Sequence, residues 1–309
     1  MIKQKVEASG LITNELIEEI KPARRGQDRR RRQDLHERPI GRVEEETGVP
    51  TIANKARERL AAGQLCLGMA LRQARTVDIG RVLSACGFDF AFIDMEHNTM
   101  SIDTAAQIAV ACHDAGVTPL VRVPGYEHYL ATRLLDAGAM GIVFPHVDTV
   151  EQAGQLVGNC KYPPRGHRSL GGPMAQLGFR PYPRAESTTA VNTETLLVMM
   201  LETPRAIENA EVIAAVPGVD VLLIGTNDLT LEMGIAGKYD DLEVVRAYDT
   251  VIAACKKHGK YPGMGGIYDH PTMEKYIKMG ARFILCGSDI SFLMAGGQAR
   301  ADFLRSIRA

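Results

Sequence analysis

Several features that would assign a protein to a well-marked class are missing from this sequence. Its six cysteines are scattered and form no CxxC pair, so we expect reduced thiols rather than a disulfide framework or a zinc site. No apolar run approaches the ~20 residues that a membrane helix needs, and the amino terminus lacks the apolar core of a signal peptide. The 36 basic side chains nearly balance the 37 acidic ones, so no excess charge points to nucleic acid or to an anionic membrane. We therefore expect a cytoplasmic protein that binds a small molecule at a local site.

Residues 1–50 differ in composition from the rest of the chain. They contain the stretch PARRGQDRRRRQDLHERP and very few large apolar side chains, which predicts a disordered, polar extension because there is little to bury. A basic arm that binds RNA is the alternative, and salt-sensitive RNA binding that is lost on deletion of these residues would distinguish the two. Interleaved acids such as Glu44 to Glu46 argue against a targeting peptide.

From residue 51 to residue 309, short apolar runs alternate with segments of helical period. The eight runs are CLGMAL (66–71), FAFID (90–94), PLVRV (119–123), GIVFPHV (141–147), LLVMMLE (196–202), VLLIGTND (221–228), YPGMGG (261–266) and FILCGSD (283–289). Apolar runs without strict alternation suit strands that are buried on both faces, as parallel strands are. Eight strand and helix units predict an α/β fold, the (β/α)8 TIM barrel, with a doubly wound open sheet as the rival. The count favours the barrel, and no GxGxxG follows the first run.

Polar residues gather where the apolar runs end. They are Asp94, Glu96 and His97 in FIDMEHN, Arg122 in the third run, His146 and Asp148 around the end of the fourth, Glu202 closing the fifth and Asp228 closing the sixth. In a barrel, the carboxyl ends of the strands form the active face. This distribution therefore predicts a site on that face.

Glu202 and Asp228 would lie side by side, because they close neighbouring strands. Two carboxylates at such a short separation repel each other unless a positive charge lies between them. Mg²⁺ is commonly bound by one or two carboxylates, with water and substrate as its other ligands. The alternative is that each acid caps the helix that follows it. Spacing alone leaves both interpretations open.

His97 is a candidate general base, and a hydrogen-bonded surface histidine is the alternative. The nearby Asp94 favours the catalytic interpretation, because a carboxylate can fix the tautomer of an imidazole and raise its basicity. Schiff-base chemistry is excluded, since none of the eight runs ends in lysine and Lys260 precedes the seventh. GxSxG and GxxxxGK[ST] motifs are absent as well. Metal-assisted chemistry remains.

Several separate motifs also occur in the order of a known family. FIDMEH, PLVRV, LLDAGAMGIVFPHVDTVEQA, KYPPRGHRS, LETP and IGTNDL resemble the HpcH/HpaI aldolases, the class II pyruvate aldolases. The resemblance implies a barrel of the phosphoenolpyruvate/pyruvate type, often assembled as a hexamer (a trimer of dimers) with the last helix exchanged between subunits. It also implies a lyase that reversibly cleaves 4-hydroxy-2-oxo acids to pyruvate and an aldehyde through a metal-held pyruvate enolate. The metal would be Mg²⁺ or Mn²⁺, with Co²⁺ as a third candidate.

The family's site residues can be carried over position by position. Its metal ligands fall on Glu202 and Asp228, its histidine base on His97 and its transition-state arginine on Arg122. The aspartate that raises the basicity of the histidine falls on Asp136. This residue ends a predicted helix, at the far mouth of its own barrel, so a neighbouring subunit would have to supply the histidine.

Two departures from the family pattern concern substrate binding. Met200 replaces a substrate-binding glutamine, and Gly225-Thr226-Asn227-Asp228 replaces Gly-Pro-Ala-Asp. The metal at Asp228 and the backbone amides near Asn227 would then hold the carboxylate of pyruvate. The GTNDL and FPH variants are also similar to macrophomate synthase, so an oxaloacetate decarboxylase or an enolate-coupling enzyme on the same site stays open as the alternative. We expect the long loop 161–195 to shape the acceptor pocket.

Overall fold

The computed structural model describes residues 50–307, in which eight parallel strands close into a barrel in chain order. The strands are β1 (Cys66–Leu71), β2 (Phe90–Asp94), β3 (Thr118–Arg122), β4 (Gly141–Phe144), β5 (Leu196–Leu201), β6 (Val221–Gly225), β7 (Tyr261–Gly265) and β8 (Phe283–Ser288). Each predicted run coincides with one strand to within a few residues, and the strands close on themselves, so the (β/α)8 barrel is confirmed and the open sheet is wrong. The strand β4 ends before Pro145, which has no N–H to donate. The predicted polar extension lies outside the described residues, apart from Pro50.

Twelve α-helices surround the barrel within residues 50–307. They are α1 (Lys55–Ala61), α2 (Ile79–Ala85), α3 (Ile102–Asp114), α4 (His128–Asp136), α5 (Val150–Cys160), α6 (Arg184–Glu194), α7 (Pro204–Glu208), α8 (Ala210–Ala214), α9 (Thr226–Glu232), α10 (Leu242–His258), α11 (His270–Met279) and α12 (Asp289–Ser306). The starts of α3, α5 and α7 are fixed by Ser101, Thr149 and Thr203, whose side chains accept backbone N–H groups of the first turn. None of these helices is long and apolar enough to cross a membrane.

Side chains that point into the barrel form a core of their own. Phe90 and Phe283 stack there with ring centroids 4.2 Å apart, and Ala56 and Leu60 of α1 pack against the same cluster. Gly68 of β1 is required, since a Cβ at this position would come within 2.1 Å of the Phe90 ring. The opposite faces of the strands pack against the outer helices in a second, larger core. The two cores hold the strand ends, and therefore the site, in fixed positions.

The loop after α5 lies at the amino-terminal mouth of the barrel, so the expectation that it shapes the acceptor pocket is wrong for its own barrel. A helix that follows a strand returns the chain to the end where strands begin, and the loop therefore starts there. Its Gln176 donates from the side-chain amide to the carbonyl oxygens of Leu135 and Ala139, which precede β4. Met174 and Leu177 pack with Met140 in a third cluster at the same end.

The last helix, α12, buries none of its side chains within the described residues. Several of its large apolar residues are exposed, among them Phe292, Leu293, Met294, Phe303 and Leu304. Its first residue is nevertheless firmly tied to the barrel. Asp289 accepts backbone N–H groups from the loop that follows β1.

Candidate active site

An arginine and an aspartate from neighbouring strands form a buried ion pair at the carboxyl-terminal mouth of the barrel. Asp94 and Arg122 face each other in the β2–β3 register, and the guanidinium is bidentate, with Nε 3.0 Å from Oδ1 and Nη2 2.7 Å from Oδ2. The third nitrogen of Arg122, Nη1, lies 2.8 Å from Oε2 of Glu96. The two residues of the pair are 0% and 5% exposed. This geometry holds Arg122 in one orientation.

Both members of this pair are charged. Burial opposes the charged form of each, but the hydrogen bonds and the charge of Arg122 hold the pKa of Asp94 below its usual value. In the same way, the pKa of Arg122 is held above its usual value, mainly by Asp94 and to a smaller extent by the charges of Glu96 and Glu202. A buried pair of this quality is lost only at great cost, because each partner alone would be a buried charge with a single opposite contact, Arg122 to Glu96 or Asp94 to Arg72.

The structure gives Asp94 a different partner from the imidazole of His97. Its Oδ1 accepts the backbone N–H groups of Glu96 and His97, at 3.1 and 3.3 Å, and its Oδ2 accepts from Nε of Arg72 at 3.1 Å. The expectation that Asp94 fixes the tautomer of the His97 ring is therefore wrong, because two arginines occupy its oxygens. Within the described part of the chain, the carboxylate nearest to the ring is Glu96, with Oε2 3.7 Å from Nε2.

Glu202 is a buried carboxylate whose negative charge is little neutralised by neighbouring cationic side chains. It is 1% exposed, and among the described residues only the His146 imidazole, at 3.7 Å, lies within ion-pairing distance. Burial raises the pKa of Glu202 to about 7, and the charge of Asp228 acts in the same direction, whereas His146 and Arg122 oppose the shift. Gly225 lies directly against this carboxylate, since a Cβ there would come within 2.4 Å of Oε1.

The helix-cap interpretation fails for Glu202. The side chain that caps α7 is Thr203, which accepts from the N–H of Ala206 at 3.0 Å. Glu202 instead accepts the backbone N–H of His146, with the nitrogen 2.8 Å from Oε2. Asp228 lies in the first turn of α9 and is half-buried, a position that the helix dipole favours for an acid.

The two acids fit a hard divalent cation. Carboxylate oxygens are the ligands that Mg²⁺ and Mn²⁺ prefer, and Mg²⁺ takes few of them from the protein. Within residues 50–307, no group of three or more His, Cys, Asp or Glu side chains could hold a metal ion, so the pair would leave most coordination positions to water or substrate. Glu202, buried beside a second acid, is the group that gains most from such a cation.

The other predicted site residues are divided between the two mouths. Met200 lies inside the barrel core, 5% exposed, and Asn227 is exposed at the start of α9, where its Oδ1 accepts from the Tyr239 hydroxyl at 2.6 Å. Asp136 ends α4 at the opposite mouth, paired with the buried Arg168 at 2.6 Å. The structure therefore does not bring Asp136 to the site of its own barrel.

Arg72 at the mouth is absent from the residues predicted from the sequence, and the backbone geometry of a predicted residue, His146, could not be predicted. Arg72 directly follows β1, and the pattern of polar residues at strand ends would have found it. His146 has a φ of 50°, which is uncommon for a residue other than glycine. Its carbonyl oxygen accepts a hydrogen bond from the Tyr126 hydroxyl, which stabilises the turn that presents its N–H to Glu202.

The barrel and the acids at its carboxyl-terminal mouth define an enzyme of the TIM-barrel class. The family model HpcH/HpaI aldolase/citrate lyase matches residues 72–295, and the chain belongs to this family. It is 39% identical to a 4-hydroxy-4-methyl-2-oxoglutarate aldolase of Hapsidospora irregularis, over 83% of this chain and 95% of that protein. The crystal structure of the HpcH/HpaI aldolase from Desulfitobacterium hafniense DCB-2 matches with a TM-score of 0.78 and 29% identity, over 82% of this chain and 97% of that one.

The resemblance to macrophomate synthase is confirmed too. Its crystal structure matches with a TM-score of 0.69 and 25% identity, over 89% of this chain and 99% of that one. The chain is a carbon–carbon lyase of the aldolase type, in a family whose aldolases act on small 2-oxo acids.

Proposed function

We propose that the protein is a metal-dependent aldolase that reversibly cleaves 4-hydroxy-2-oxo acids to pyruvate and a carbonyl acceptor. The observation that carries the proposal is Glu202, a carboxylate held in the barrel wall beside Asp228 without a lysine or arginine ion-pair partner among the described residues. A protein that only needed a stable core would gain nothing from such a group. The family relationship supplies the reaction class.

Glu202 and Asp228 would hold Mg²⁺ or Mn²⁺, with Co²⁺ as a third candidate. When bound, the ion would supply Lewis acidity to the oxygens of a 2-oxo acid. Asn227, exposed beside Asp228, would contact the carboxylate of the substrate. Met200, whose side chain lies in the barrel core just below Glu202, would offer the substrate only apolar surface.

Arg122 would stabilise the negative charge that develops on the keto oxygen of the substrate. Its guanidinium is already fixed by Asp94 and Glu96, so little reorganisation accompanies the reaction. Three of its N–H groups are used by these carboxylates, which leaves others for the substrate.

His97 would take the proton from the C4 hydroxyl during cleavage, directly or through one water, and return it in the condensation direction. Its side chain is 52% exposed, as a group that exchanges protons with solvent needs to be. Glu96 is near enough to orient the ring. Asp136 could support such a histidine only in another subunit, because it lies at the far mouth of its own barrel.

The proposal includes a homo-oligomer, assembled as a trimer of dimers. The exposed apolar residues of α12 and a cavity of about 680 Å³ between α12, β1 and α2, lined by Met69, Val82, Leu83, Phe88, Phe292 and Leu293, support it. A second copy of α12 that covered this surface would remove a large apolar area from water. Light scattering of the purified protein tests the oligomeric state.

The experiment for the reaction is pyruvate release from a panel of 4-hydroxy-2-oxo acids, followed with lactate dehydrogenase. We expect EDTA to abolish cleavage and Mg²⁺ or Mn²⁺ to restore it in the wild type, but not in Glu202→Gln or Asp228→Asn. Arg81→Met, on the exposed surface of α2, is the control. Metal-independent cleavage would contradict the proposal, and CO₂ release from oxaloacetate that exceeds all aldol turnover would assign the site to decarboxylation instead.

A further inference from the structure

Arg72 is a second guanidinium at the mouth whose binding capacity is not used. Its Nε donates to Oδ2 of Asp94 at 3.1 Å, the same oxygen that Nη2 of Arg122 approaches at 2.7 Å. Within residues 50–307, its two terminal nitrogens make no hydrogen bond. The side chain is 40% exposed. Four N–H donors of Arg72 are therefore available to a ligand.

Arg72 is not needed to neutralise Asp94. The guanidinium of Arg122 already meets both oxygens of that carboxylate, and the backbone N–H groups of Glu96 and His97 add two more bonds to it. A purely structural role would thus duplicate an interaction that is already complete. Arginine with a free planar fork is the side chain best suited to a carboxylate ligand.

The loop that carries Arg72 is held rigidly by the last helix. One oxygen of Asp289 accepts the N–H of Arg72 at 2.9 Å, and the other accepts those of Gln73 and Ala74 at 2.8 and 2.7 Å. Three consecutive backbone N–H groups are thus fixed by one carboxylate. This anchoring aims the side chain of Arg72 and lowers the entropic cost of using it in binding.

The position of Arg72 relative to the two acids sets which part of a substrate it could reach. The strand β1 lies opposite β5 in a closed barrel of eight strands, so Arg72 is across the mouth from Glu202, and Arg122 on β3 lies between. If a cation held by Glu202 and Asp228 bound the first carboxylate of a 2-oxo acid and Arg122 met its keto oxygen, the distal carbons would extend toward β1. The substituent on C4 would be the part that meets Arg72.

We propose that Arg72 forms a subsite for a carboxylate on C4 of the substrate, so that the preferred carbonyl acceptor is itself a 2-oxo acid rather than a simple aldehyde or ketone. This inference rests on the proposed function and adds to it a specificity residue. Arg72 acts in binding, and the chemistry stays with Arg122 and His97.

A matched pair of substrates tests the subsite. Cleavage of 4-hydroxy-4-methyl-2-oxoglutarate gives two molecules of pyruvate, whereas 4-hydroxy-4-methyl-2-oxopentanoate, with a methyl in place of the C4 carboxylate, gives pyruvate and acetone. We expect the ratio of kcat/KM for the first over the second to fall about 10- to 100-fold in Arg72→Met, as for the loss of hydrogen bonds to a charged group. In Arg72→Lys, the ratio should lie between those of the wild type and Arg72→Met, and Arg81→Met should keep the wild-type ratio.

Each result decides between the possibilities. An unchanged ratio in Arg72→Met, including an equal loss on both substrates, would overturn the subsite and leave Arg72 as a support for Asp94. If the wild type with Mg²⁺ or Mn²⁺ cleaves neither compound nor any other 4-hydroxy-2-oxo acid, the proposed function fails first. If the wild type cleaves both compounds but its preference between them does not depend on Arg72, the carboxylate subsite is wrong and the proposed function stands.

A binding measurement on the wild type covers the case in which Arg72→Met does not fold. With Mn²⁺ present, calorimetry would compare 2-oxoglutarate with 2-oxopentanoate, which differ in a carboxylate on the same chain. We expect 2-oxoglutarate to bind at least about 10-fold more tightly. Equal affinities would overturn the subsite without any variant.

Discussion

Replacing Glu202 by glutamine should stabilise the metal-free protein while removing the proposed metal site. Burial and Asp228 raise the pKa of Glu202 from 4.5 to about 7. At about 1.4 kcal/mol per pKa unit, an ionised Glu202 costs the folded state up to roughly 3 kcal/mol above pH 7. The amide of glutamine carries no charge and can still accept the N–H of His146, so most of this cost should disappear.

The pH dependence has a definite sign. Because the pKa of Glu202 is raised on folding, its favourable contribution is complete below about pH 4.5 and is lost as the pH rises through 7. In EDTA, the wild type and Glu202→Gln should therefore be equally stable near pH 4.5 and should diverge by about 1–3 kcal/mol at pH 8. For a domain of this size, this corresponds to a rise in Tm of several degrees in the variant.

Thermal and urea denaturation at the two pH values, each with and without Mg²⁺, would measure the effect. Mg²⁺ should raise the Tm of the wild type at pH 8 and leave that of Glu202→Gln unchanged. Asp94→Asn is the matched control, since Asp94 is also buried but paired. It should lose about 3–5 kcal/mol because Arg122 loses its bidentate partner and keeps only the single contact with Glu96. A Glu202→Gln variant less stable than the wild type at pH 8 in EDTA would refute the reasoning.

Three further predictions follow from the packing and the charges. Arg122→Lys should lose at least ~100-fold in kcat for pyruvate release, because lysine cannot bind Asp94 bidentately and face the substrate at once; near wild-type turnover would exclude the role. Gly68→Ala should lower the free energy of unfolding by about 1–3 kcal/mol, because the new Cβ would clash with the ring of Phe90. In the double variant Gly68→Ala/Phe90→Leu, which removes that ring, part of the loss should be recovered. Additive losses of the two substitutions in urea denaturation would contradict the close approach. Burial lowers the pKa of Lys161 to about 8, so the wild type should gain stability relative to Lys161→Met as the pH rises from about 8 toward 10, and a difference that stays flat across this range would show that Lys161 is not desolvated.

The barrel could be predicted from the sequence because each strand is an uninterrupted apolar run. The strand CLGMAL is one example: it is buried on both faces and pairs with neighbours on both sides. The position of Glu202 and Asp228 at neighbouring strand ends followed from the same count. These inferences need only periodicity and the rule that parallel strands end at one mouth.

The partners of Asp94 could not be predicted in this way. Nearness in the sequence suggested His97, three residues on, but the cross-strand register pairs Asp94 with Arg122, 28 residues away. Register depends on the packing of the whole sheet rather than on local spacing. The length of the loop after α5 suggests a functional role, but a loop that follows a helix lies at the opposite mouth of the barrel from the site.

Burial has opposite consequences for the two buried acids of the site, Asp94 and Glu202. Asp94 is paired with Arg122 and makes it rigid, so the ion pair fixes the position of the charge that, in the proposed function, would face the substrate. Glu202 is almost unpaired, and its burial keeps a carboxylate in a state that a divalent cation would relieve. The backbone N–H of the left-handed His146 donates to Oε2 of Glu202, and Tyr126 stabilises that turn through the carbonyl oxygen of His146, so Oε1 is left for such a cation. The buried charge of Glu202 thus lowers the stability of the metal-free fold, and binding of a cation there would restore it. This is the arrangement expected of a site selected for function rather than for folding.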